Sequence, residues 1–414
     1  MRGLWTFLLA LALAGSGAAA APAPRWVGSW STAVQLPEPA NQLPEAALHD
    51  ATLRQTVHLS LGGTTIRIRL SNAHGTVPLH LTAVHVARPV PGVLGAVVPG
   101  SDAALSFAGR PDVTIPAGAD YVSDPLAFAV APRSDLTISL HYDALAAQPT
   151  GHPGARATSF VAPGDVATSA QLPAPTMLDH WYLLANVEVP GPAARGAVVA
   201  LGDSITDGRG SVTDANNRWP DDLARRLNGI GVLNMGIGGN RLLADGLGPN
   251  ALARFDHDVL AQAGVRWLIV LEGINDLGVL TREAPAEPAA HAAMVAQVTA
   301  AYAQIVARAH AHGVKVMGGT LMPWMGFDYY HPDAANEADR QAVNAWIRAP
   351  GHFDAVVDFD ARLRDPAAPD RLLPAFDSGD HLHPSPDGYQ AMAALIPLAF
   401  FAEPHKAPHR GLHK

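Results

Sequence analysis

Ala197-Val198-Val199-Ala200-Leu201-Gly202-Asp203-Ser204-Ile205-Thr206-Asp207-Gly208 runs from five apolar residues straight into a small, polar turn. A strand with one face in water alternates apolar and polar residues. An unbroken apolar run is the mark of a parallel strand covered by helices on both faces. Similar runs recur at 231–234, 267–271, 314–317 and 355–359. Between them lie stretches with helical spacing at 220–227, 250–262, 288–312, 334–347 and 386–401, the first opened by Pro220, a residue helices tolerate in their first turn. This alternation predicts an α/β domain over 196–402, a five-stranded parallel sheet with helices on both faces. Ligands of such sheets bind at the carboxyl ends of the strands, so chemistry is expected just after each apolar run.

Towards the N-terminus the period changes. Residues 24–190 read as β-structure: 57–61 alternates, Gly62-Gly63 supplies a hairpin turn, and 66–70 alternates again. Further strands are expected at 79–86, 136–142 and 181–189. Short strands punctuated by Pro, Gly, Asn and Asp predict an all-β sandwich or jelly roll. This accessory domain carries no nucleophile or metal signature. Its role is either structural, or to bind carbohydrate or shape the active cleft.

Residues 1–20 combine Arg2, an apolar run at 4–14 broken only by Thr6, and small residues ending in Ala18-Ala19-Ala20. They read as a signal peptide cleaved after Ala20, which implies a secreted or periplasmic protein. The apolar run is shorter than the ~20 residues of a spanning helix, and no other segment qualifies as one. Residues 403–414, with His405, His409 and His413, read as a flexible tail.

Composition narrows the function classes. Apolar residues make up 48% and charged residues 16% of the 414, a globular balance. With no cysteine, disulfides, thiolate zinc sites and a cysteine nucleophile are all excluded. The formal charge is −9 and only Lys315, Lys406 and Lys414 are lysines, so nucleic acid is not an expected partner. Nineteen histidines are many, but none forms a helical His-x-x-x-His pair with a nearby acid in a predicted core, and no metal or other cofactor is expected.

The residues suited to chemistry follow the apolar runs. Ser204 lies at the first strand-to-helix turn, where its hydroxyl is exposed beside backbone N–H groups. Serine is a weak nucleophile unless a base takes its proton. The second run leads into Gly236-Ile237-Gly238-Gly239-Asn240-Arg241, in which the N–H of Gly239 is a candidate oxyanion donor. The third leads into Glu272-Gly273-Ile274-Asn275-Asp276, in which Asn275 offers a neutral amide donor. Near the C-terminus, Asp377-Ser378-Gly379-Asp380-His381-Leu382-His383 places Asp380 three residues before His383, a spacing that brings carboxylate to imidazole in one turn. His383 is then the expected base and Asp380 its orienting acid. His381 competes for the role but has Ser378 three residues upstream. Asp203 and Asp276 are expected to make structural hydrogen bonds. Asn240, Arg241, Glu272 and Trp324 are expected to line the cleft, with Phe327, Tyr329 and Tyr330 near it.

These four segments, in this order and context, resemble the GDSL or SGNH hydrolase family over residues 196–402. The resemblance implies a flavodoxin-like three-layer domain and ester hydrolysis through a Ser204, His383 and Asp380 triad. It also implies an oxyanion hole formed by Ser204, Gly239 and Asn275. The first block has Ile205 where the family name has Leu, and the second has Gly238 where many members have Ser. An N-terminal β-domain opening with Trp26-Val27-Gly28-Ser29-Trp30 is similar to a subgroup often likened to xylan-associated acyl esterases. The expected function is a secreted esterase acting on short, acetyl-type acyl groups of small molecules or polysaccharides. The alternatives are a lipase or lysophospholipase acting on longer chains, and a carbohydrate-binding protein with an inactive hydrolase domain.

Overall fold

The five apolar runs become one all-parallel sheet of β1 (Ala197–Gly202), β2 (Gly231–Gly236), β3 (Val265–Leu271), β4 (Lys315–Gly319) and β5 (Ala355–Val357). Their order is β2-β1-β3-β4-β5. The computed structural model describes residues 25–191 and 196–402. The expected signal peptide at 1–20 and the expected tail at 403–414 lie outside the described residues. Every residue of β1 is buried, as its unbroken apolar run requires. Gly202 pairs in register with Gly236 on one side and Leu271 on the other. The loops after the first three strands therefore leave the sheet at one edge.

The helices are α1 (Ser204–Asp207), α2 (Trp219–Arg226), α3 (Ala251–Phe255), α4 (Ile274–Thr281), α5 (Pro288–Ala311), α6 (Ala334–Arg348), α7 (Phe359–Leu363) and α8 (Pro386–Leu395). Helix α2 packs on α8, and α5 packs on α4 and α6. The result is the expected three-layer α/β domain. Three elements are shorter than expected. The strand predicted at 355–359 stops at Val357, because the Asp358 side chain caps α7 by accepting the Ala361 N–H. The helix expected over 250–262 is α only to Phe255 and then widens into a π-turn over Asp256–Leu260, closed by the Ala261 N–H bonding to Asp256 O at 2.8 Å. The last helix ends at Leu395, ahead of Pro397, and a 3₁₀ turn over Leu398–Phe401 follows.

The N-terminal half has two large antiparallel sheets and two two-stranded pairs, 79–81 with 113–115 and 151–152 with 181–182. One large sheet has the order 26–31, 184–190, 67–71, 120–122; the other has 176–178, 159–163, 49–58, 135–144, 83–87, 103–104. Alternate residues such as Ile66, Ile68, Leu70, Leu136, Ile138 and Leu140 are fully buried in the shared core. The expected hairpin at Gly62-Gly63 is not formed. The strands on either side belong to different sheets, and this segment crosses between them. Gly63 exchanges both backbone hydrogen bonds with Val130, at 2.9 and 2.8 Å. A Cβ on Gly62 would lie 2.7 Å from Val130 O, so the glycine serves a close backbone approach rather than a two-residue turn. The strands expected at 79–86 and 181–189 are each broken, at Thr82 and at the left-handed Leu183 (φ 61°).

The two halves share one continuous core. Strand Trp26–Ser31 packs along β2 so closely that a Cβ on Gly231 would lie 2.0 Å from Gly28 O. Gly28 N donates to Ala263 O (2.9 Å), Val232 N to Ser60 Oγ (3.0 Å), and Asn186 Nδ2 to Gln262 Oε1 (2.7 Å). His257, in the π-turn, has its Nε2 2.8 Å from Asp120 Oδ2 of the β-domain.

Candidate active site

Ser204 opens α1 immediately beyond the carboxyl end of β1. Asp203 caps the helix, accepting the Ile205 N–H at 2.9 Å, and Gly208 ends it in the left-handed conformation, where a side chain would strike Arg218. Ser204 Oγ lies 2.7 Å from His383 Nε2. His383 Nδ1 lies 2.7 Å from Asp380 Oδ2, and Asp380 Oδ1 accepts the backbone N–H of His383 at 2.8 Å and of Leu382 at 3.1 Å. The loop bearing this pair is pinned by Ser378 N to His383 O (3.0 Å) and Ser385 N to Phe376 O (2.8 Å), just before Ser385 caps α8. Ser204, Asp380 and His383, expected to converge, therefore do so.

The electrostatics follow from burial and pairing. Burial of His383 disfavours its cation and lowers its pKa below the usual imidazole value, against the opposing pull of Asp380. Asp380 is partly buried, which favours its neutral form. The hydrogen bonds and charge it receives from His383 outweigh this and hold the carboxyl well below the usual carboxylate range. A carboxylate beside a neutral, buried imidazole is the state in which the ring can accept a proton from Oγ.

Asn275 follows β3 at the start of α4 and is buried. Its Nδ2 donates to Asn240 O at 2.8 Å, and its Oδ1 accepts the Tyr330 hydroxyl at 2.9 Å. The amide is thus anchored beside the Gly239–Asn240 turn. Gly239 is left-handed (φ 71°). Among the described residues neither the Ser204 nor the Gly239 N–H is given to a backbone carbonyl.

His381 does have an acid, contrary to the simple spacing argument. Its Nδ1 lies 2.7 Å from Asp377 Oδ2, four residues upstream. The left-handed backbone of His381 (φ 69°) directs it to that partner, while His383 takes Asp380.

Among the expected cleft residues, three need correction. Glu272 and Trp324 are 0% exposed and so touch no ligand in a cleft. Asn240 is also buried, and its side chain is spent on its own loop: Nδ2 donates to Leu247 O and Pro249 O, and Oδ1 accepts from Arg254. Only Arg241 of the four keeps accessible surface, with its guanidinium on Asp245 O. Tyr330 is buried, Tyr329 is exposed, and Phe327 stands edge-on to the His383 ring with centroids 5.9 Å apart.

Arg254 was not singled out in the sequence. It donates to Met235 O and Gly202 O, tying the ends of β2 and β1 together, and pairs with Asp258 at 2.8 Å. The available signal was an arginine four residues before an acid in an otherwise apolar helix. Around it burial pushes Asp203 up to about 7 and Asp276 up to about 6, and raises Glu272 well above its usual value. Asp276 accepts the Leu242 and Leu243 N–H groups, and Asp203 caps α1, so both are structural as expected.

His152 of the β-domain was also missed. Its Nε2 lies 2.9 Å from Asp207 Oδ1 on α1, the helix that opens with Ser204, with both side chains buried. Its ring stacks on Trp181, which meets Trp30 edge-on at 5.0 Å. Removing one partner of such a buried hydrogen bond leaves the other unsatisfied, at a cost of roughly 1–3 kcal/mol.

A family model for the GDSL-like lipase/acylhydrolase family matches residues 200–391. Among solved structures, this chain is similar to a GDSL-like lipase from Bacteroides thetaiotaomicron, at 23% identity over 49% of this chain and 86% of that one, with a TM-score of 0.38. It is similar to an acetylxylan esterase from Geobacillus stearothermophilus at 21% identity over 52% and 96%, with a TM-score of 0.38. It is also similar to a carbohydrate acetylesterase from Sinorhizobium meliloti at 16% identity over 48% and 95%, with a TM-score of 0.37. None of the curated proteins matches the chain. Residues 200–391 are a GDSL-like lipase/acylhydrolase domain, and the protein is a carboxylic ester hydrolase.

Proposed function

We propose that the protein is an exported serine esterase that removes short, acetyl-type acyl groups through a Ser204, His383 and Asp380 triad. The observation that carries this reading is the pair of 2.7 Å contacts linking Ser204 Oγ to His383 Nε2 and His383 Nδ1 to Asp380. In the proposed reaction Ser204 Oγ attacks the ester carbonyl while His383 Nε2 takes its proton. The N–H groups of Ser204 and Gly239 and the Asn275 amide stabilise the oxyanion. His383 then protonates the leaving alcohol, and water attacks the acyl-enzyme with His383 again as base, releasing the acid and restoring Ser204. None of these steps draws on a metal or other cofactor.

The preference for a short acyl group rests on what fills the space behind the site. Buried Tyr330 packs edge-on against both Trp324 and Phe327, and Phe327 abuts His383. A long acyl chain would have to displace these rings. Export rests on the sequence of residues 1–20. Among the described residues no helix is long and apolar enough to cross a membrane.

The test is hydrolysis of p-nitrophenyl esters from acetate to decanoate by the wild type and by Ser204→Ala. Loss of roughly 10³-fold or more in the variant, with unchanged thermal unfolding, is expected. Activity falling with chain length supports a short acyl group. Near-native activity in Ser204→Ala refutes the nucleophile, and a rate rising toward decanoate refutes the short-chain preference.

A further inference from the structure

The β-rich half lays one arginine-bearing segment against the helix that opens with Ser204. Arg156 lies between the short strand Gly151–His152 and the strand Ser159–Pro163, and its backbone is left-handed (φ 50°). Non-glycine residues hold that conformation only where their surroundings impose it, and such positions recur at ligand clamps. Here the segment is fixed on both sides against the α/β domain. Upstream, His152 binds Asp207, and Gly154 approaches so closely that a Cβ would lie 1.7 Å from Asp207 Oδ2. Downstream, Asp214 accepts the Thr158 N–H and hydroxyl, both at 2.7 Å, and its own N–H donates to Arg156 O.

So firmly placed a guanidinium would be expected to have a counter-ion. Arg156 is half-buried, yet its Nε is enclosed without an acceptor, and among the described residues the side chain makes no ion pair. Arg156 lies two residues beyond Gly154, which abuts Asp207 on the helix that opens with Ser204, and its charge reaches His383 and Tyr389. Arg209, exposed just beyond α1, adds a second guanidinium with Nε 3.8 Å from Asp380 Oδ2, on a segment held by the Tyr389 hydroxyl bonding to Arg209 O. In a chain of formal charge −9, two guanidiniums act on His383, one of them already paired with Asp380. An enclosed N–H without an acceptor is costly unless a ligand supplies one, and the planar fork of arginine fits a carboxylate.

We propose that Arg156, with Arg209 beside it, is a carboxylate subsite contributed by the β-domain, so that the natural ester is borne by an acidic, uronate-containing glycan rather than a neutral one. This rests on the reading of Ser204 as an esterase nucleophile.

The experiment compares kcat/KM for acetylated galacturonate oligomers with that for acetylated xylo-oligomers, in the wild type, Arg156→Ala and Arg156→Lys. The acidic-to-neutral ratio is expected to exceed one in the wild type and to shrink with added salt. It should fall tenfold or more in Arg156→Ala and recover in part in Arg156→Lys. An equal loss on both substrates, or a shift of the pH profile with an unchanged ratio, overturns the proposal. Should Arg156→Ala fail to fold, the wild-type ratio and its salt dependence decide: a ratio near one, insensitive to salt, overturns it. Failure of the esterase reading looks different, since the wild type would then hydrolyse neither oligomer nor p-nitrophenyl acetate.

Discussion

The Tyr330 hydroxyl donates to Asn275 Oδ1 at 2.9 Å, while Asn275 Nδ2 donates to Asn240 O at 2.8 Å. The two bonds together define which way the amide faces. Burial pushes the Tyr330 pKa up, so the phenol remains a donor throughout the working range. In the proposed reaction Tyr330 is therefore a positioning residue that acts through Asn275.

Tyr330→Phe leaves the ring in place and removes only that donor. One hydrogen bond of about 1–1.5 kcal/mol corresponds to roughly a tenfold fall in kcat. Asn275→Ala should cost roughly 10²–10³-fold as an oxyanion donor is lost. The discriminating measurement is the double variant: adding Tyr330→Phe to Asn275→Ala should change kcat little further. Full additivity would mean that Tyr330 acts by another route.

The pH dependence of kcat/KM on a neutral ester reports His383 in the free enzyme. Its pKa lies below 6.5 because burial disfavours the cation, so the rate should be flat through neutrality and fall only as acid converts the base to imidazolium. Asp380 opposes that depression. Asp380→Asn should therefore move the acid limb to still lower pH while the plateau drops by about 10⁴-fold, as the imidazole loses its orienting charge. An acid limb that moves upward in Asp380→Asn would contradict the assignment.

The contact between the halves has its own pH signature. Hydrogen bonds to Asp120 and Asp258 raise the pKa of His257 to about 10, although burial works against the cation. Because the folded-state value exceeds the unfolded one, this contribution is complete below about 6.5 and is lost as pH rises through 10. Chemical denaturation of the wild type should show stability declining over that window, and His257→Gln should flatten the decline. An identical alkaline slope in the variant would remove His257 as its source.

Much of the α/β half could be read from the chain itself. Each apolar run became a parallel strand, and Ser204, Gly239 and Asn275 follow three of them at the same sheet edge, because strand-end placement in a parallel sheet follows from local order. Asp380 and His383 were legible for the same reason: three residues in a single turn leave few geometries. The hairpin at Gly62-Gly63 failed because a two-residue alternation identifies a strand but not its partner. Glu272, Trp324 and Asn240 failed because position after a strand does not tell which side chains turn inward.

Local properties therefore determined the class of fold, the order of its strands in the chain and the identity of the proposed catalytic trio, since period, turn chemistry and short spacings act within a few residues. Tertiary structure alone decided the pairing of His152 with Asp207 across 55 positions, the lock of Tyr330 on Asn275, and the packing of the Arg156-bearing segment against α1 from the other half of the chain. Those contacts depend on how two separately patterned halves dock. Docking is set by the close approach of surfaces such as Gly28 on Gly231, where the absence of a side chain, rather than any motif, lets the backbones meet.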